Sequence, residues 1–249
     1  MKIAVITAMP EEYRAVADSL GTATAARVGT LRAGRFSQAG HEILLVESGM
    51  GFYNAARAVE LLISDGRPDL LVSAGFCGGI VPGLRAGDVV VAKEIIIAGD
   101  GGFEDIPIPL SPIGRSFVAC QSAEGKRTVG GTFISTATTT SKRRLAGMLP
   151  GSYPNPVAEM ESGAVAIIAA ENNIPLLAIR TVSDSAAEEL GFSLDEFCDP
   201  DLRRIRIDKV LLTVLRKPRI IPQLLRLSRS SRRAAESLTA ALSRLFPTL

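Results

Sequence analysis

The sequence predicts an α/β fold: a single domain with a central mixed, mostly parallel sheet flanked by helices, plus a C-terminal helical segment. Short runs rich in Val, Ile, Leu and Ala alternate along the chain with longer amphipathic patterns, as in strands joined by helices. The sequence also has no Trp and only 5% aromatic residues. Small and β-branched residues suit buried parallel strands that are covered by helices.

In the first half of the chain, each apolar run ends in a turn or a helix start. A β-branched run at 2–7 leads into a helical pattern at 10–20, and residues 27–47 alternate between glycines as antiparallel strands do. A helix is predicted from about Phe52 to just before Gly66, and a buried strand at 69–74 follows it.

The second half continues the alternation of strands and helices. The predicted elements are a strand at 88–97, a helix at 111–124, a strand at 127–135, helices at 141–149 and 160–173, and a strand at 174–184. The final segment is predicted to hold two or more helices, broken around 217–218.

Charge divides the chain into two parts. Residues 200–249 contain twelve Lys or Arg and three acids, a balance of +9, so the rest carries −7 of the total of +2. We therefore predict a domain at 1–200 and a basic amphipathic helical segment at 201–249, packed on the domain or appended to it. Its Arg216, Arg219 and Arg226 suit peripheral contact with an anionic membrane surface; alternatively, these helices pack on the body or complete an oligomer.

Composition excludes several classes of site. Cys77, Cys120 and Cys198 are odd in number and lack CxxC spacing, and His41 is the only histidine. A disulfide framework and a multi-histidine metal site are therefore not indicated, and we expect no metal and no cofactor. The basic C-terminal segment has only Phe246 as an aromatic residue, so no stacking platform for nucleic acid is predicted.

The N-terminus, MKIAVITAMPEE, meets two acids after an apolar run that is too short for a signal peptide. No charge-free apolar stretch of spanning length follows it. We therefore expect a cytoplasmic protein.

Polar motifs follow the predicted strands, where ligands of open α/β sheets bind. They are MPEE, SGMG, SAGFCGG and TVSD, and a fifth motif, AEMESGA, opens a helix. Each alone has a structural explanation, such as a helix cap, a favourable helix dipole or a tight turn. SAGFCGG matches neither a P-loop nor a dinucleotide-binding fingerprint.

In combination, the order and spacing of these motifs resemble the nucleoside phosphorylase and methylthioadenosine/adenosylhomocysteine nucleosidase family. The hydrolytic nucleosidases are the most similar, because they share the strand, Ala-Met and consecutive acids of the opening. The resemblance covers about residues 1–200, while the last 50 residues faintly resemble hopanoid-associated phosphorylases.

The resemblance implies hydrolysis of the N-glycosidic bond of a purine nucleoside such as methylthioadenosine or adenosylhomocysteine. Glu12 would activate the attacking water, and Asp184 would be the general acid at the purine N7. Glu161 would bind the ribose 2′- and 3′-hydroxyls with Met160 packed under the sugar. The other implied substrate-binding residues are Met9, Met50, Phe76, Cys77, Gly78 and Ser183.

Two departures from the family pattern leave the substrate open. Phe76 replaces a small hydroxylated residue, and the purine-stacking loop has only Thr at about Thr139 where the family has Phe. A futalosine-type substrate with another base, or a lipid-linked nucleoside such as adenosylhopane, therefore remains an alternative.

The nucleophile and the class of protein are open as well. Phosphorolysis would need inorganic phosphate as co-substrate; the phosphate loop of Gly-Asp-Pro-x-x-Arg type is missing, but Arg14, Arg35 or Arg57 offers a cation. An alternative of a different class is a non-catalytic nucleoside-binding protein. Relatives in the family usually associate, so we also expect a homo-oligomer.

Overall fold

The computed structural model describes residues 1–99, 102–107, 110–124, 127–138, 140–188, 213 and 220–249. Within these residues the strands form one ten-stranded sheet. The strands are β1 Lys2–Thr7, β2 Thr24–Val28, β3 Leu31–Gln38, β4 His41–Glu47, β5 Leu70–Gly79, β6 Val89–Gly99, β7 Gly102–Asp105, β8 Thr128–Thr136, β9 Val157–Glu159 and β10 Leu176–Asp184. The helices are α1 Pro10–Leu20, α2 Phe52–Gly66, α3 Pro112–Ala123, α4 Lys142–Met148, α5 Ser162–Glu171 and α6 Ile221–Leu245.

The sheet is mixed, as the sequence predicts. Five pairings between named strands in the described part are parallel and five are antiparallel. The sequence predicts a mostly parallel sheet, and the structure has more antiparallel pairings than that. Three of them belong to hairpins, which join β2 to β3, β3 to β4, and β6 to β7. The β3–β4 turn has positive φ at both Ala39 and Gly40, which matches the right-handed twist of the flanking strands.

One strand, β5, organises the fold. It lies between β1 and β10 and is parallel to both. Strand pairing continues from β10 through β6, β8 and β9 back to β5, so these strands form a closed ring. Nearly every residue of β5 is buried, which agrees with its apolar sequence LLVSAGFCGG. The carboxyl ends of β1, β5 and β10 therefore meet at one edge of the sheet.

The C-terminal helix α6 has two different halves. Its second half buries Leu238 and Leu242 in a cluster with residues of α1, β5 and β10. Its first half exposes Ile221 and Leu225. The predicted helix break at 217–218 lies outside the described residues, and the proposed domain boundary near 200 stays a prediction.

Two short strands are not predicted from the sequence. Val157–Glu159 and Gly102–Asp105 have three and four residues, which is too short for a recognisable alternation. In the described part of the chain, no helix is both long and apolar enough to cross a lipid bilayer.

Candidate active site

The predicted acids lie on elements that start or end at the same edge of the sheet. Glu12 is in the first turn of α1, directly after β1, and Glu161 is the N-cap of α5. Asp184 ends β10, which runs beside β5 with Arg180 opposite Gly75 and Asp184 opposite Gly78. The motifs far apart in sequence are thus brought together by three parallel strands.

Glu12 is a buried carboxylate held by backbone N–H groups. Its Oε2 accepts hydrogen bonds from the N–H groups of Ala8 (2.9 Å) and Met9 (3.0 Å), and its Oε1 accepts one from Phe76 (2.7 Å). The Met9 bond is half of a helix capping box, but the Phe76 bond reaches across to β5. Burial raises the pKa of Glu12 despite the opposing effects of Arg180 and these hydrogen bonds.

Glu161 is the second buried acid. Its Oε1 accepts a hydrogen bond from the N–H of Gly51 (2.8 Å), and its Oε2 lies 3.6 Å from Nη2 of Arg180. Burial, together with the negative charges of Glu159 and Glu12, raises its pKa to about 7, although Arg180 opposes the shift. A carboxylate with this pKa changes protonation state near neutral pH.

Arg180 and Glu159 form the buried base of the site. Nη2 of Arg180 donates to Glu159 (2.9 Å) and to Oγ of Ser73 (3.1 Å). Glu159 also accepts from the N–H groups of Glu161 (3.1 Å) and Ser162 (2.7 Å), so it caps α5. Burial alone lowers the pKa of Arg180, but the three surrounding glutamates raise it above its ordinary value, so Arg180 stays charged.

Some polar atoms of this group have no protein partner. Within the described part of the chain, Nε and Nη1 of Arg180 and Oε1 of Glu159 are buried and make no hydrogen bond. Buried polar atoms in native proteins are nearly always paired with protein, water or ligand.

Asp184 occupies the other end of the site. Its Oδ1 accepts a hydrogen bond from Ser183 Oγ (2.5 Å), and Ser183 Oγ is also 3.2 Å from the carbonyl oxygen of Cys77. Its Oδ2 forms an ion pair with Lys142 from α4. Gly78, opposite Asp184 on β5, leaves the space that this ion pair occupies.

The remaining predicted residues surround these acids. Met9, Met50 and Met160 are half-buried and directly precede or cap the segments that hold Glu12, Gly51 and Glu161. The side chain of Phe76 lies in the hydrophobic cluster of α1 and α6. Phe76 therefore contacts the site through its backbone N–H, which donates to Glu12. Burial raises the pKa of the Cys77 thiol well above its ordinary value. Thr139 lies outside the described residues.

The cations beside the acids differ from those considered in the sequence. Arg14 and Arg57 are exposed, and Arg35 pairs with Asp65 (3.4 Å). In the described ranges of the chain, the cations that contact the site acids are instead Arg180 and Lys142. The sequence could have indicated Arg180, because an arginine inside the apolar run LLAIRTV must have buried partners.

Among the residues that the structure describes, no group of three or more His, Cys, Asp or Glu side chains is arranged to hold a metal ion. His41 is at the start of β4, where its Nδ1 lies 3.2 Å from the N-terminal nitrogen.

Comparison with known proteins found a matching family model and a named relative. The family model described as the phosphorylase superfamily matches residues 2–215. A 5′-methylthioadenosine/S-adenosylhomocysteine nucleosidase of Bacillus cytotoxicus is 32% identical over 219 residues, covering 80% of this chain and 92% of the relative.

Solved structures share the fold over the full length. The methylthioadenosine/S-adenosyl homocysteine nucleosidase of Campylobacter jejuni superposes with a TM-score of 0.74 at 16% identity, covering 100% of both chains. The futalosine hydrolase of Helicobacter pylori also gives a TM-score of 0.74, at 15% identity, covering 100% of this chain and 98% of the other. At these identities the superpositions establish the fold.

Proposed function

The chain belongs to the phosphorylase superfamily, and from this premise we propose that it hydrolyses the N-glycosidic bond of a purine nucleoside. The substrate class that we propose is 5′-methylthioadenosine, S-adenosylhomocysteine or a nucleoside of similar structure, which the named activity of the Bacillus relative supports. No cofactor is required in this proposal.

The charge of the buried group is the observation that favours water over phosphate as nucleophile. Among the residues that the structure describes, Glu12, Glu159 and Glu161 surround one guanidinium, that of Arg180. A phosphate dianion entering this group would meet more negative than positive charge, whereas a water molecule would not.

The proposed reaction assigns one step to each acid. Glu12 takes a proton from water, whose oxygen forms a bond to C1′ of the ribose while the C1′–N9 bond breaks. Its raised pKa makes Glu12 a stronger base than an exposed glutamate. Glu161 accepts hydrogen bonds from the 2′- and 3′-hydroxyls, and Asp184 in its protonated form gives its proton to N7 of the departing purine and becomes a carboxylate.

The spacing along β10 supports this division. Arg180 and Asp184 are four residues apart on β10, which would put their Cα atoms about 13 Å apart on a regular strand and less here, because the pairing is irregular between Val182 and Asp184. This distance leaves room for a ribose near Arg180 and a purine near Asp184.

Release of free purine is the direct test. Methylthioadenosine, adenosylhomocysteine, adenosine and futalosine would be incubated with the protein, with and without inorganic phosphate, and the products separated by chromatography. We expect purine and free sugar without phosphate. Release that requires phosphate and yields a sugar phosphate would instead identify a phosphorylase, and binding without release would identify a nucleoside-binding protein.

Substitution of the two acids tests their roles. We expect Glu12→Gln to abolish hydrolysis while leaving nucleoside binding measurable by calorimetry. We expect Asp184→Asn to lower kcat by roughly two or more orders of magnitude. Glu11→Gln is the matched control, because Glu11 is exposed next to Glu12 on α1. Full activity of Glu12→Gln would exclude it as the base.

We also propose that the first half of α6 contacts an anionic membrane surface. It exposes Ile221 and Leu225 beside the exposed Arg226 and Arg229, and this pairing of apolar and basic side chains suits the lipid headgroup region. Under this proposal the protein is cytoplasmic and homo-oligomeric, with peripheral membrane contact. A lipid-linked nucleoside such as adenosylhopane is the alternative substrate that such contact would favour.

Sedimentation with vesicles tests this contact. Wild-type protein is expected to sediment with phosphatidylglycerol vesicles and not with phosphatidylcholine vesicles, and R226E/R229E is expected to stay in solution. R14E/R115E, which reverses two exposed arginines on the body, provides the control. Equal sedimentation of both double variants would contradict a role for α6.

A further inference from the structure

Lys142 stands at an electrostatically unfavourable position. It begins α4, and Arg143 and Arg144 follow it, so three cations occupy the first turn of a helix. The N-terminal end of a helix carries partial positive charge and disfavours cations. Arg143 and Arg144 are exposed to solvent, whereas the side chain of Lys142 is only 12% exposed. A buried ammonium is stable only with close partners.

The partners of Lys142 accept from all three N–H groups of its ammonium. An ammonium group has three N–H donors. Nζ of Lys142 pairs with Oδ2 of Asp184 and donates to the carbonyl oxygens of Ser185 (2.8 Å) and Glu188 (2.9 Å). Lys142 therefore joins α4 to the turn that follows β10 and fixes the direction of the Asp184 carboxylate.

Gly78 on the neighbouring strand β5 leaves space for the ion pair of Lys142 and Asp184. A Cβ atom at Gly78 would lie 3.0 Å from Cε of Lys142 and 3.1 Å from Oδ2 of Asp184. Both distances are tighter than ordinary van der Waals contact, so any larger side chain would press on the pair. Gly78, Asp184 and Lys142 thus come from three elements to form one contact.

The direction of the Asp184 carboxyl matters because of the reaction. A purine that leaves its ribose takes up a proton at N7, so the group that delivers this proton must be directed at that atom. We propose that Lys142 is a positioning residue for Asp184, and that it holds the carboxyl group in the direction that proton transfer to N7 requires. This inference rests on the proposed function, in which Asp184 faces N7.

Lys142→Met tests the proposal, since it removes the charge and retains most of the side-chain length. On a purine nucleoside, we expect kcat to fall about 10- to 100-fold with KM changed less than about threefold. Lys142→Arg keeps the charge and is expected to recover part of the loss. Arg143→Met, on the same turn of α4, is expected to keep wild-type rates, and thermal unfolding would check that each variant folds.

Two further measurements separate an action through Asp184 from a general loss of structure. The double variant K142M/D184N is expected to be about as slow as D184N alone, because both changes remove the same interaction. A riboside with a p-nitrophenolate leaving group needs no proton at departure, so K142M and wild type are expected to cleave it at rates within about twofold.

Several outcomes would overturn the inference. They are an unchanged kcat in K142M on the purine nucleoside, an equal loss on both substrates, or effects of K142M and D184N that multiply. A wild-type protein that cleaves no nucleoside, with or without phosphate, would instead refute the proposed function itself and remove the basis of this inference.

Discussion

Gly75 on β5 lies where the carboxylate of Glu12 comes closest to a strand backbone. A Cβ atom at this position would be 2.5 Å from Oε1 of Glu12, closer than nonbonded atoms approach. Gly75→Ala must therefore displace Glu12 and lengthen its hydrogen bond to the N–H of Phe76. We expect loss of hydrolysis by at least about 100-fold, measured as kcat/KM.

Gly66→Ala is the control for that substitution. Gly66 has open space around the position of an added Cβ atom, so activity should be retained there. Wild-type activity in Gly75→Ala would mean that the position of Glu12 observed in the structure is not needed for catalysis.

The candidate acids could be chosen from the sequence, but the contact between Asp184 and Lys142 could not. Glu12, Glu161 and Asp184 follow strands or open helices, and their motifs have family spacing. Lys142 is 42 residues from Asp184 and belongs to a different element. No periodicity links two such positions, so only the packing of α4 against the turn after β10 reveals their contact.

Glu159 illustrates a different limit. The motif AEMESGA contains two glutamates, and the pattern does not say which one faces the substrate. The structure separates them: Glu159 caps α5 and binds Arg180, whereas Glu161 reaches Gly51 at the start of α2. The different partners of Glu159 and Glu161 depend on the geometry at the start of α5 and on the contact between Glu161 and the distant Gly51.

Among the elements, α6 supports the helix that holds Glu12. Thr239 Oγ1 donates to the carbonyl oxygen of Ala15 on α1 (2.9 Å), and Arg244 Nε donates to Gln121 on α3 (2.6 Å). The sequence predicts an amphipathic helix here. Which half of it packs on the body depends on the surface that α1 and α3 present.

Leu238→Ala tests this support. Leu238 is fully buried between α6 and the body, so its truncation leaves a cavity. We expect the free energy of unfolding to fall by about 2–5 kcal/mol, measured by urea denaturation. Leu225→Ala, at a position with 56% exposure, should change it by less than about 0.5 kcal/mol. Equal effects of the two variants would indicate that α6 is not packed as observed.

Over the whole molecule, the buried carboxylates link stability to pH. The pKa of Glu161 is raised from 4.5 to about 7 in the folded protein, and that of Glu12 is raised as well. The folded protein therefore binds more protons than the unfolded chain between these values. The stabilising contribution of such groups is fully present below pH 4.5 and is lost as the pH rises through about 7.

Glu161→Gln is expected to remove much of this dependence. Because an amide has no charge to bury, the variant should be more stable than wild type at pH 8, by on the order of 1–3 kcal/mol, and close to it at pH 4.5. Urea denaturation of the ligand-free proteins at both pH values measures the difference. A gain of equal size at both pH values would mean that packing, rather than the charge of Glu161, sets its effect on stability. The wild-type protein would then hold Glu161 ionised without a cost in folding free energy, and the link between this carboxylate and the pH dependence of stability would fail.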